Sequence, residues 1–279
     1  MMVRSGLGRA MNDAGMVNEY WGRHDLGQTI LDALAAAGKD LDRLTVDDLA
    51  VSDHFHSGGK IATVRLARLA GLSPGMRVLD VGGGLGGPAR MLAAEFGCRV
   101  TVVDLTESYV RAAAMLTERL GLHDRVSHRV GDALDLPFDD EAFDVVWTQN
   151  SGMNIAGKEQ LYAGLRRVLR SAGLLAFQEP MAGPVGPPVF PVMWAREPSE
   201  SFLRAPAEMR ALIERAGFRV RAWDDVTAET AGPPAGAAVP PHAVQRLIMR
   251  EALPAIARAG QRNREEGRIV MVQAVFEKV

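Results

Sequence analysis

The chain has 279 residues, 47% of them hydrophobic, enough for one sizeable core with a lid or small subdomain added. Its net charge of −2, with both signs interspersed, offers no basic stripe for a nucleic-acid groove, and no apolar run approaches the length that spans a bilayer. The first residues are too polar for a secretory leader, so the expectation is a cytoplasmic protein, monomer or homodimer, with a small-molecule partner and neither nucleic acid nor membrane.

In chain order, residues 1–17 read as frayed. Two amphipathic helices are predicted next, one over 19–37 and one from near Thr45, where Asp48 completes a capping box. A third runs over 59–70. From Arg77 onward apolar runs alternate with helical periodicity, the pattern of parallel βαβ units: strands at 77–81, 99–104, 126–130, 143–148 and 173–178, helices at about 87–96, 107–121 and 158–170. Residues 179–203 hold six prolines among apolar and aromatic side chains, which excludes regular helix and suits a rigid loop over a pocket. A helix at 206–216, a strand at 219–224, a linker-like stretch "TAETAGPPAGAAVPP", a helix at 243–259 and a last strand at 268–277 follow. The lone Cys98 reads as a small buried hydrophobe, and four histidines other than His54 and His56 as loop or surface residues.

The most informative stretch is "RVLDVGGGLGGPARMLAAEFGCRVTVVDL", residues 77–105, a buried strand, a turn with five glycines in six residues, a helix and a second strand ending in Asp104. Glycines allow positive φ and let a ligand lie against bare main chain, and the N–H groups opening the next helix favour an electron-rich ligand group. Asp104 stands where a carboxylate can take both hydroxyls of a ribose. Gly82, Gly84 and Gly87 fit the G-x-G-x-x-G spacing of dinucleotide enzymes, a weak signal alone. Asp80 decides between cofactors, because a carboxylate at the strand tip repels a pyrophosphate and attracts an ammonium or sulfonium group. S-adenosylmethionine carries both and no phosphate, and the motif then reads D-x-G-x-G-x-G over Asp80, Gly82, Gly84 and Gly86.

The runs "VLDVGGGLGG", "VVDL", "GDALDLPF" and "FDVVW", in this order and spacing, resemble the class I S-adenosylmethionine-dependent methyltransferases over about residues 76–226. The resemblance implies an α/β, Rossmann-like doubly wound sheet of seven strands in the order 3-2-1-4-5-7-6, with strand 7 antiparallel. It also implies an N-terminal helical lid over 1–73 and a core over 74–279 carrying a substrate-lid insertion at about 180–205. "FHSGGKIAT", residues 55–63, is similar to the segment before the first strand in phosphoethanolamine and sarcosine or dimethylglycine N-methyltransferases. In those relatives it folds over the cofactor, which implies that Phe55, His56 and Ser57 line the methionine end and that Tyr20 matches a lid tyrosine. Where the phosphoethanolamine enzymes have a histidine at the acceptor, this chain has Asn154, which argues against phosphoethanolamine.

Under this reading Asp80 with the Gly82, Gly84 and Gly86 backbone holds the amino-acid part of S-adenosyl-L-methionine. Asp104 and Leu105 take ribose and adenine, Asp132 accepts the adenine amine beside a donor from Ala133, and Gln149 touches the methionine carboxylate. Tyr20, His56, Asn150 and Asn154 are the candidates at the acceptor, with a structural hydrogen-bonding role open for either asparagine. Asp53, His54 and His56 have metal-ligand spacing, but no metal is expected; the histidines read as a base for a hydroxyl or thiol acceptor or as a helix cap. The expected reaction is methyl transfer to a small molecule, nitrogen favoured. The alternatives are a cyclase or decarboxylase that binds the same cofactor and a nicotinamide-dependent dehydrogenase, for which Tyr162 with Arg166 lacks the required lysine.

Overall fold

The computed structural model describes residues 25–232, 236 and 238–279. Tyr20 and the first part of the earliest predicted helix lie outside them. Among the described residues three helices come first: α1 (Leu26–Ala36), α2 (Val46–Asp53) and α3 (Gly59–Leu69). The capping box of α2 is formed reciprocally, Asp48 N donating to Thr45 Oγ1 and Thr45 N to Asp48 Oδ2. There follow β1 (Arg77–Val81), α4 (Gly87–Glu95), β2 (Arg99–Asp104), α5 (Glu107–Arg119), β3 (Val126–Val130), β4 (Phe143–Gln149), α6 (Lys158–Val168) and β5 (Leu169–Ala182). The chain continues through α7 (Pro206–Arg215), β6 (Phe218–Asp225), α8 (Val244–Met249), α9 (Leu253–Glu265) and β7 (Ile269–Lys278).

The strands form one sheet in the order β3-β2-β1-β4-β5-β7-β6. The first five are parallel, and β7 runs antiparallel to both of its neighbours, as expected. Both faces of the central strands are buried, which is why they read as continuous apolar runs. On one face Leu66 and Ala67 of α3 and Ala89 and Leu92 of α4 pack against Val78, Val100 and Trp147. On the other, Leu161 and Leu165 of α6 and Leu212 and Ile213 of α7 pack against Leu79, Val146 and Phe177. A third cluster docks α1 and α8 on α5 through Ile30, Leu34, Leu116 and Ile248.

Two elements and one residue differ from the sequence reading. The fifth strand begins at Leu169 rather than 173, because the "LRSAG" turn is absorbed as an irregularity: pairing passes from Phe143↔Leu169 to Val145↔Leu174 around Ala172, whose φ is +54°. The helix expected over 243–259 breaks at Arg250 (φ +43°) and resumes with Pro254 in its first turn. Proline has no N–H for an uninterrupted helix and its ring clashes with the carbonyl four residues back, here that of Arg250. His128 lies in β3 rather than in a loop, its Nε2 2.8 Å from Thr117 Oγ1, and burial pushes its pKa down to about 4. Cys98 is free and buried.

Candidate active site

Because β1, β2, β4 and β5 are parallel, their C-terminal ends gather at one edge of the sheet, where the topology reverses between β1 and β4. The glycine turn joins β1 to α4 there. Gly82 has φ +72°, and a Cβ on it would stand 2.4 Å from the Ser151 Cβ, so the turns after β1 and β4 touch only because that position is bare. Gly83 is equally constrained: a Cβ would lie 2.6 Å from Asp80 Oδ2.

Asp80 is buried, and its Oδ2 has no hydrogen-bond partner among the described residues. Burial first, and the nearby Asp104 charge second, push its carboxyl up to about 8. An unpaired buried carboxylate is costly, so this one calls for a cationic partner. Asp104 anchors the glycine turn, Oδ2 accepting from Gly84 N at 2.9 Å and Oδ1 from Thr106 N at 2.8 Å. Each oxygen keeps lone-pair capacity for a further donor. Gly131 N donates to Asp104 O, which brings the Asp132–Ala133 turn alongside Leu105; Asp132 Oδ1 accepts from Leu134 N at 2.8 Å. The residues expected around ribose and adenine are thus adjacent.

Gln149 ends β4. Its Oε1 accepts from Trp147 Nε1 and from Thr63 Oγ1, both at 3.1 Å, while its buried Nε2 has no partner among the described residues. The edge therefore presents an unpaired acid on β1 and an unpaired amide donor on β4. Ser57 lies over it, held by Gln178 Nε2, which donates to Ser57 O at 2.8 Å. His56 is buried beside it, and burial, reinforced by His54, pushes its pKa down to about 3, so it is neutral. Phe55 packs with Leu85 and Leu49 in the third cluster.

Two expected acceptor residues hold the frame. Asn150 (φ +53°) takes Gln178 Nε2 on its Oδ1 at 3.2 Å. Asn154 directs its Nδ2 to the Trp194 and Glu200 carbonyls at 2.9 and 3.0 Å, pinning the lid. Asp53 and His54 do not form a metal set with His56. Asp53 Oδ1 accepts from His54 Nδ1 at 2.7 Å and Oδ2 from Arg90 Nη2 at 2.8 Å, and Arg90, fully buried, also donates to Leu85 O in the glycine turn at 2.6 Å.

Sequence reasoning missed Arg90 and Glu179. Arg90 left no trace beyond a charge in an apolar helix. Glu179 follows the same rule as Asp80 and Asp104, an acid at the C-terminal part of a parallel strand, and was legible on that ground. It is buried, its Oε1 accepts from Gly152 N at 2.8 Å and Ser151 N at 3.2 Å, and its Oε2 is unpaired among the described residues. Burial raises its pKa against the pull of those amides and of Lys158. Beside it lies a narrow cleft lined by Met153, Lys158, Tyr162, Phe202, Leu203 and Met209.

Residues 78–173 match the family model described as a methyltransferase domain. Over those residues the chain is similar to methyltransferase domains. The chain is 38% identical over 118 residues to glycine/sarcosine/dimethylglycine N-methyltransferase of Actinopolyspora halophila, a match covering 42% of this chain and 21% of that protein. The chain thus spans well under two thirds of that curated relative. Among solved structures, the geranyl diphosphate C-methyltransferase of Streptomyces coelicolor, determined with S-adenosyl-L-homocysteine, superposes with a TM-score of 0.70 at 20% identity, over 96% of this chain and 98% of that one. The [4+2]-cyclase SpnF superposes with a TM-score of 0.62 at 23% identity, over 78% and 80%. The methyltransferase fold is thus shared by proteins named for nitrogen transfer, carbon transfer and cyclisation.

Proposed function

We propose that the domain binds S-adenosyl-L-methionine and transfers its methyl group to a small-molecule acceptor, with nitrogen the favoured atom. One observation carries this reading: two buried polar atoms at the sheet edge, unpaired among the described residues, have opposite character, Asp80 Oδ2 an acceptor and Gln149 Nε2 a donor. A zwitterionic amino-acid end satisfies both, its ammonium at Asp80 and its carboxylate at Gln149. A pyrophosphate could accept from Gln149 Nε2 but brings no cation or donor to Asp80.

When bound, the cofactor supplies a methyl on a sulfonium whose sulfur leaves as a neutral thioether. What remains for this chain is to align the acceptor and exclude water, worth several orders of magnitude when the approach is short and in line. Glu179 is the acceptor-side group in this reading, because its unpaired Oε2 needs a donor and an amine N–H or a hydroxyl brings one. The likeness to an enzyme named for glycine, sarcosine and dimethylglycine favours the amine. The segment read as a substrate lid, about residues 180–205, borders this cleft through Phe202, Leu203 and Arg204 and is the part that opens for the acceptor in this reading.

Calorimetry with S-adenosylhomocysteine and with NAD, followed by incubation with labelled S-adenosylmethionine and acceptors bearing an amine, a hydroxyl or only reactive carbon, tests this. Tight binding of the first ligand and label on amines is expected. Comparable affinity for NAD would sink the cofactor reading, and binding without label on any acceptor class would favour a cyclase.

A further inference from the structure

Thr63, on α3, has a fully buried hydroxyl that lies between two groups of the site, 3.0 Å from His56 Nε2 and 3.1 Å from Gln149 Oε1. A hydroxyl has one proton to give, so the direction of every bond in this chain can be worked out. Trp147 Nε1 only donates, and at 3.1 Å it identifies the facing Gln149 atom as the oxygen. That oxygen cannot donate to Thr63. The Thr63 proton therefore points at Gln149, and its lone pair must be met by a proton on His56 Nε2.

The other neutral tautomer, with the proton on Nδ1, would reach Ser57 O at 3.2 Å. That carbonyl already accepts from Gln178 Nε2 at 2.8 Å and gains little from a second donor. The same tautomer would draw the Thr63 proton back to His56 and leave two bare oxygens facing each other at 3.1 Å in a dry interior. The Nε2–H form satisfies Trp147, Gln149 and Thr63 together, and its cost falls on the longer contact, His56 Nδ1 to Ser57 O at 3.2 Å, where the carbonyl keeps its Gln178 donor.

We propose that Thr63 is a positioning residue for the cofactor: its hydroxyl, backed by His56 Nε2–H, joins Trp147 in locking Gln149 so that the Nε2 amide faces the cofactor carboxylate unpaired. This rests on the reading that Gln149 meets that carboxylate. It assigns His56 the work of holding a proton toward Thr63 rather than taking one from the acceptor.

The test uses the full chain, S-adenosylhomocysteine calorimetry and ¹⁵N spectra of the histidines. Thr63→Val keeps the volume and removes the donor, and should weaken binding about tenfold, the loss of one directed amide contact, whereas Thr63→Ser should stay within about threefold of the parent. Gln149→Glu accepts from Trp147 and Thr63 as before but offers a like charge, and should lose far more. In the parent, His56 should show a protonated Nε2 and a bare Nδ1. Parent-like binding by Thr63→Val while Gln149→Glu fails would overturn the positioning role and leave the cofactor reading standing. Parent-like binding by Gln149→Glu would overturn both. An Nδ1–H tautomer for His56 would overturn the chain of bonds whatever the variants do.

Discussion

Under the proposed reading, Asp80 couples ligand binding to protons. Its carboxyl, raised to about 8 by burial and by Asp104, holds a proton at pH 7 in the free protein and must release it to face an ammonium group. S-adenosylhomocysteine affinity should therefore rise with pH up to about 8, by about tenfold per unit where a single proton is released. Asp80→Asn should flatten that dependence and weaken binding by about 1.5–3 kcal/mol at pH 8. Calorimetry at several pH values reads both; a parent profile as flat as the variant's would remove Asp80 from the ammonium. The sign for folding is opposite. The native pKa lies above the unfolded value of about 3.9, so this group favours folding most at low pH and its contribution is lost as pH rises through 8. Thermal melts of the free protein should show a smaller loss between pH 6 and 8 for Asp80→Asn than for the parent. His56 titrates on the other side. Pushed down to about 3, it is too weak a base to take a proton from a hydroxyl acceptor, so His56→Gln, which still offers a donor to Thr63, should keep turnover within roughly tenfold of the parent. A thousandfold fall in kcat with cofactor affinity preserved would make His56 a base after all.

Between elements, the buried Asp53–Arg90 pair joins the end of α2 to α4, and Gly87 makes the approach possible, since a Cβ there would meet Asp53 Oδ1 at 2.6 Å. Removing one partner leaves an uncompensated buried charge. Arg90→Met should cost about 3–5 kcal/mol in denaturant unfolding, and Asp53→Asn combined with it should restore part of the loss. If the double variant is as unstable as the sum of the singles, the two side chains are not coupled. The segment from Phe55 to Thr63, tied to the sheet through Gln178 and Gln149, should be protected from hydrogen exchange when S-adenosylhomocysteine binds. Unchanged exchange there would separate α3 from the cofactor. The elements themselves were largely legible in the sequence, because each central strand is an apolar run and each helix repeats at its own period. The exceptions are local. At 169–173 a positive-φ alanine sustains a strand through what reads as a turn, and at Arg250 the break precedes the proline that causes it. The site was legible where chain order alone places a residue, as for Asp80, Asp104 and Gln149 at strand ends. It was illegible where function depends on which partner a side chain finds across the fold: Asn154 tethering residues 194 and 200, Arg90 reaching Asp53, and Thr63 meeting Gln149.

At the scale of the molecule, the sheet order puts β7 between β5 and β6, with Gln178 and Gln273 side by side although 95 positions apart in the chain. In β6, Phe218 to Asp225 have β7 as their sheet neighbour. During synthesis, then, the first five strands can assemble while the rest of the chain is still being made, but β6 must wait, exposing one edge of β5 until residues 269–278 emerge. Ribosome-stalled chains ending near residue 226 and carried clear of the tunnel by a linker should hold a protease-resistant β1–β5 unit with β6 still open to cleavage, and chains running through 279 with the same linker should close it. Such distant pairings are slow to form, so the nascent protein passes through an interval in which that edge is open to the wrong partner, and chaperone dependence should peak there.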